Sequence, residues 1–261
     1  MNLLLYGLQR SGTNFLEEVL RRHYRVRFLN DYEDRSSPLH KHFRLYREKH
    51  IIPESQYRND LKIAGFADFE RILGDTPNSY LIISKDPYSW LLSYCQWAKK
   101  CHWPEVSHHY IAEYNLFHGK WLEFSRQTNK IVFIRYVDLL QNAARELSLL
   151  EATIGLKKRF GRRVLSSRVN KVAQSPEFSN DRAAFYVNKL YLRSYTARDL
   201  REVNSLVDPD VLSGLRYHKE ENVGETPQAI PDAAHIGTAE RMVEVPPCRR
   251  EDRSENPQLP R

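Results

Sequence analysis

The stretch Leu3-Leu4-Leu5-Tyr6-Gly7-Leu8-Gln9-Arg10-Ser11-Gly12-Thr13-Asn14-Phe15-Leu16 decides the fold of this chain. Leu3 to Tyr6 is an apolar run too short for a helix and suited to a core strand of a parallel sheet. Gly7 ends the run. Gly12 then opens a segment in which Phe15, Leu16, Val19 and Leu20 share one helical face. A strand, a loop with a glycine at each end and a helix N-terminus together make an anion site. Backbone N–H groups converge there, and the helix dipole favours negative charge.

The two glycines have the spacing of the phosphate loop of nucleotide triphosphatases, G-x-x-x-x-G-K-[ST]. The lysine and hydroxyl that should follow are replaced by Thr13 and Asn14. Those groups normally reach the outer phosphates and Mg²⁺, so hydrolysis of a metal-bound triphosphate is disfavoured. The cation lies inside the loop instead, as Arg10, followed by Ser11.

Gln9-Arg10-Ser11-Gly12-Thr13-Asn14-Phe15 resembles the 5′-phosphosulfate loop of the sulfotransferases that use 3′-phosphoadenosine 5′-phosphosulfate (PAPS), commonly P-K-S-G-T-T-W. Arg10 stands at the family's catalytic lysine, and Phe15 at the tryptophan that stacks on adenine. Two further motifs follow in the family's order. Lys85 ends an apolar run, and Ser93 lies eight residues on in a helical segment, where the family has an arginine and a serine on the 3′-phosphate. Lysine offers a point charge rather than a fork. Arg135-Tyr136-Val137-Asp138-Leu139-Leu140 is similar to the family's "(R)YEDL" segment, placing Tyr136 near the adenine. By itself, Lys85 also reads as a solvated lysine, Ser93 as a packing residue and Asp138 as an N-cap.

The resemblance implies a histidine base in a K-x-H segment between the first two motifs. His40-Lys41-His42 occupies that interval, with His42 at the base position and Lys41 displaced by one; His40 or Glu33 are the alternatives. A histidine titrates near neutrality and suits the task. The implied site is therefore Arg10 and His42 for catalysis, with Arg10, Ser11, Gly12, Thr13, Asn14, Phe15, Lys85, Ser93 and Tyr136 on PAPS as co-substrate. No metal is required. The family's R-K-G-x-x-G segment is not recognisable, although Arg162, Arg163, Arg168 or Lys171 could serve in its place.

The chain has 261 residues, 41% of them apolar, enough for a sizeable core. Of its 40 Lys/Arg and 33 Asp/Glu, 6 and 9 fall in Lys219–Arg261, leaving the first 218 residues at +10. Such a body suits an anionic ligand. No helix-turn-helix, zinc-finger or RNP-type pattern points to nucleic acid as partner. Cys95, Cys101, His102, His108 and His109 match no usual zinc spacing, and three cysteines make no disulfide framework. The first strand begins two residues from Met1 and no run nears the roughly 20 apolar residues of a span. A cytoplasmic protein without a leader is expected.

Further apolar runs at Tyr80–Ser84 and Ile131–Ile134 read as core strands, and Tyr24–Leu29 and Leu39–Phe43 as short ones. Helices are expected over 61–73, from Pro87 to at most Pro104, and over 109–128, 142–154, 178–192 and 196–206, with a short one closing at Tyr217. Alternation of this kind predicts a three-layer α/β/α fold on a parallel sheet, of P-loop-like sulfotransferase architecture. Residues 1–218 are expected to form one domain, and Lys219–Arg261, rich in proline and charge, a disordered tail. The function expected is sulfonate transfer from PAPS to a hydroxyl or amine of a small-molecule or saccharide acceptor. The alternatives are a nucleotide or small-molecule kinase and a non-catalytic nucleotide binder.

Overall fold

A computed structural model describes residues 1–30, 32–46, 61, 63–74, 76–103, 108–159 and 180–221, with backbone only over 180–182. Its centre is a sheet of four parallel strands: β1 (Asn2–Tyr6), β2 (Arg27–Phe28), β3 (Ser79–Ser84) and β4 (Ile131–Arg135). The spatial order is β2-β1-β3-β4. Leu4 pairs with Tyr80, and Tyr80 in turn with Ile131. β3 is buried along its whole length, as expected of a strand covered on both faces.

Helices cover both sides. Leu3 and Leu5 point into a cluster with α1 (Thr13–His23) and α5 (Tyr136–Ile154). Leu4 and Tyr6 point the other way, into an aromatic core with α2 (Phe66–Leu73), α3 (Pro87–Lys100) and α4 (Ile111–Ser125). Tyr6 stacks on Trp121 at 4.8 Å and meets Phe69 edge-on at 6.0 Å, geometries that aromatic quadrupoles favour. The same core takes in α7 (Ala197–Leu206), capped by a reciprocal Thr196–Asp199 box, and α8 (Pro209–Gly214). The three-layer α/β architecture is thus as the sequence predicts. The connection leaving β1 runs to β2 and that leaving β3 runs to β4, in opposite directions along the sheet, the topology in which ligands bind in the crevice beyond the carboxyl ends of the two adjacent strands.

Some local expectations are corrected. Leu39–Phe43 is not a strand: Ser37 N–H bonds Asp34 O, His40 N–H bonds Ser37 O, and Phe43 N–H bonds His40 O, a run of turns. The Asp34 and Ser37 side chains capture the N–H groups of Ser36 and Leu39 and hold the chain in that form. Of Tyr24–Leu29 only Arg27–Phe28 pairs with β1, and Tyr24 bridges Lys158. α2 starts at Phe66 because Gly65 is extended. α5 starts directly after β4, with a break at Asn142. Asp138 does not cap it but chelates Arg135 with two bonds of 2.7 Å. The 178–192 helix divides into α6 (Asn180–Val187) and a 3₁₀ turn, Leu190–Ser194. Residues 161–174 and 222–261 lie outside the described residues, while Lys219 and Glu220 are tied to Asn204 and Tyr88.

Among the described residues no helix is long and apolar enough to cross a membrane, and no group of three His, Cys, Asp or Glu could hold a metal.

His118 on α4 is fully buried, and neither ring nitrogen finds a hydrogen-bond partner among the described residues. Burial, with a smaller push from Arg44, lowers its pKa to about 3. The folded state therefore refuses a proton that the unfolded chain accepts below its ordinary value of 6.5. Stability should be complete above that pH and fall as pH drops from there towards the folded value. Urea titrations between neutral and acidic pH check this, and His118→Leu should flatten the decline.

Candidate anion site at the carboxyl edge of the sheet

Gly7 leaves β1 where space is shortest. A Cβ there would lie 2.5 Å from Ser11 Oγ and 2.8 Å from both Ile83 and Thr13. Its N–H donates to the Lys41 carbonyl at 3.1 Å, and its carbonyl lies 2.8 Å from His42 Nδ1. Ser11 folds inward, donating its N–H and hydroxyl to Leu8 O at 3.1 and 2.6 Å. Arg10 takes a left-handed φ of 71°, unusual for a residue with a side chain. Gly12 follows at φ 100°, and a Cβ there would strike Tyr136 at 2.5 Å. Only glycine fits both constraints.

Gly12 is the N-cap of α1 and supplies no side-chain cap; the first turn holds no acidic residue. A helix start without a side-chain cap or an acidic first turn is the kind that favours an anion. At α3 the opposite holds, since Asp86 caps the helix by accepting from Ser89 N–H at 2.9 Å.

The second cation lies alongside. Lys85, at the end of β3, is only 3% exposed. Its Nζ donates to Ser93 Oγ at 2.8 Å, and Ser93 donates onward to Ser89 O at 2.9 Å. The Tyr186 ring of α6 lies 4.1 Å from Nζ and the Tyr136 ring 5.8 Å away. Among the described residues no carboxylate forms an ion pair with it. Burial lowers its pKa, with Tyr186 and Asp86 opposing and Arg10 adding to the decrease. Tyr114 fixes the Lys85 carbonyl from α4 at 2.9 Å.

The loop and this pair share one face. Trp90 Nε1 of α3 donates to Gln9 O at 3.0 Å, and the Arg10 guanidinium lies 5.0 Å over Trp97, one turn past Ser93. Tyr136 touches both, closing against Gly12 and facing Lys85. Phe15 is buried, edge-on to Tyr136 at 5.8 Å, as part of the inner cluster. Thr13 is buried too, whereas Asn14 is exposed and accepts from Lys41 Nζ at 2.6 Å.

His42 sits against the loop. Its Nδ1–H donates to the Gly7 carbonyl, which leaves Nε2 with its lone pair. Burial drives its pKa well below 6.5, the Gly7 bond opposes this, and His40, Arg44 and Lys41 push it down further. His40 is spent on structure, its Nδ1 accepting the His42 backbone N–H at 3.0 Å, with a pKa lowered to about 4 chiefly by burial. Lys41 reaches Asn14 and Glu17 on α1, a placement the sequence does not signal. In a strand it would face away from His42, but the turn sends it to the start of α1. Nothing in the sequence signals Tyr186.

No protein-family model and no curated protein match the chain. Among solved structures, mouse sulfotransferase SULT7A1 complexed with PAP matches at 13% identity, over 83% of this chain and 80% of that one, with a TM-score of 0.31.

A buried lysine without a counter-ion should cost stability until an anion arrives. Lys85→Met is expected to raise the melting temperature in plain buffer by a few degrees, an increment of about 1 kcal/mol. Inorganic phosphate should stabilise the natural protein and leave the variant unchanged. A variant that melts lower and still responds to phosphate would show that the cation serves the fold alone.

Proposed function

We propose that the protein is a PAPS-dependent sulfotransferase acting on a hydroxyl or amine of a small-molecule or saccharide acceptor. The observation that carries the reading is a buried Lys85, without a carboxylate ion pair among the described residues, on the same face as the uncapped N-terminus of α1, with the Arg10 charge near enough to push on it. Two anion sites on one crevice fit a nucleotide with separate anionic ends better than a triphosphate, and the lysine that would serve a triphosphate is absent after Gly12.

When bound, PAPS supplies an activated sulfonate and leaves as 3′,5′-ADP. In this reading Arg10 and the first N–H groups of α1 stabilise the charge that gathers on the departing 5′-phosphate. Lys85 and Ser93 grip the 3′-phosphate, for which the Tyr186 ring must turn aside. Tyr136 walls the crevice between the two. His42 takes the acceptor's proton on Nε2, since Nδ1–H is committed to Gly7. The low pKa of His42 keeps the imidazole neutral and ready at physiological pH.

Transfer of radiolabelled sulfonate from PAPS to a panel of simple phenols, amines and monosaccharides tests the activity. Arg10→Met should lower kcat by about 10²–10³-fold, with the Kd for 3′,5′-ADP held within about threefold. The acid limb of kcat/KM should lie below pH 6.5, because the base stays unprotonated down to its lowered pKa. Binding should begin to fail below 10.5 on the alkaline side as Lys85 loses its charge. Turnover of ATP without any binding of PAPS would overturn the reading in favour of a kinase.

A further inference from the structure

Behind His42 lies an ion pair sealed from water. Arg44 and Glu113 are both 0% exposed. Glu113 Oε1 accepts from Arg44 Nε at 2.8 Å and Nη2 at 2.5 Å, and Oε2 accepts from the Tyr94 hydroxyl at 2.8 Å. The remaining arm of the guanidinium, Nη1, donates to the backbone carbonyl of His42. The Phe117 ring lies 5.5 Å from the guanidinium centre. Burial works against the Arg44 charge, and Glu113, Tyr46 and Tyr94 together outweigh it, so the arginine stays protonated.

A buried pair of this kind is a poor source of stability, because desolvation consumes most of the attraction. Its geometry is better explained by what it holds. Glu113 belongs to α4, Tyr94 to α3 next to Ser93, and Arg44 to the turn that carries His42. One carboxylate thus ties the wall bearing the Lys85–Ser93 pair to the segment bearing the base. His42 is fixed twice, its ring by the Gly7 carbonyl and its backbone by Arg44. Among the described residues Nε2 makes no hydrogen bond and stays available.

We propose that Arg44, Glu113 and Tyr94 are positioning residues that lock His42 in its Nδ1–H tautomer against the phosphate loop. The functional consequence rests on the sulfotransferase reading; the locking does not. Ring nitrogen shifts of His42 in the labelled protein report the tautomer directly, without any assay of turnover. The titratable and charged groups that push on His42 are His40, Arg44 and Lys41, so its titration is followed with His40 assigned separately.

Arg44→Met with Glu113→Leu removes the pair together and leaves no stranded charge, so it should fold. Tyr94→Phe is a milder second probe. In the double variant the His42 ring should become a mixture of tautomers, with its pKa rising towards 6.5. Its kcat should fall about 10²-fold at an unchanged Kd for 3′,5′-ADP. Tyr94→Phe should move both readouts the same way by a smaller factor. Arg44→Lys should not preserve the lock, because a compact ammonium lacks the planar fork that spans Glu113 and the His42 carbonyl. A single Nδ1–H tautomer kept in the folded double variant would overturn the proposal. Loss of that tautomer in a protein that transfers no sulfonate would uphold it while refuting the function.

Discussion

Gly7 has no room for a Cβ, and the site depends on that. With only a hydrogen on its α-carbon, the chain leaving β1 packs directly against Ser11, Thr13 and Ile83. Its peptide groups are then free to bind the Lys41–His42 turn on both sides. A side chain would separate the loop from β3 and from the turn together. Arg10, the first turn of α1, Lys85 and His42 would then no longer border one crevice. Gly12 repeats the constraint against Tyr136, with a backbone conformation that a larger residue resists.

Around that contact the structure spends stability on electrostatics. Lys85 is buried beside aromatic rings rather than a carboxylate, Arg10 adopts a left-handed conformation, and the start of α1 lacks a side-chain cap. Each runs against what a stable fold would choose, and all three converge on one edge of the sheet. Backbone strain and a buried charge concentrated in one place are the features on which the proposed anion site rests. The nearby Arg44–Glu113 pair is the opposite case, fully satisfied and inaccessible.

Much of this was legible in the sequence because it depends on local pattern. Three buried strands announce themselves as short apolar runs, and Gly7, Gly12 and Pro87 punctuate the elements that follow. Lys85 and Ser93 pair in the sequence only through their resemblance to the sulfotransferase motif; the strand end and capped helix between them bring the two to 2.8 Å. Leu39–Phe43 reads as a short strand along the sequence, whereas Asp34 and Ser37 divert the backbone into turns. Tyr186, Glu113 and Arg44 had no local signature. Tyr186 and Glu113 come from helices, and Arg44 from a turn, that meet the site only after packing, and no spacing along the chain encodes that.

The central claim is that the Arg10 loop and the Lys85–Ser93 pair hold two ends of one ligand. Calorimetric titration with 3′,5′-ADP, 5′-AMP and 3′-AMP in turn tests it most directly. If the two sites act together, the bisphosphate should bind about 10²-fold more tightly than either monophosphate, as linked anions reinforce each other. Equal affinity for 5′-AMP and 3′,5′-ADP would contradict the account.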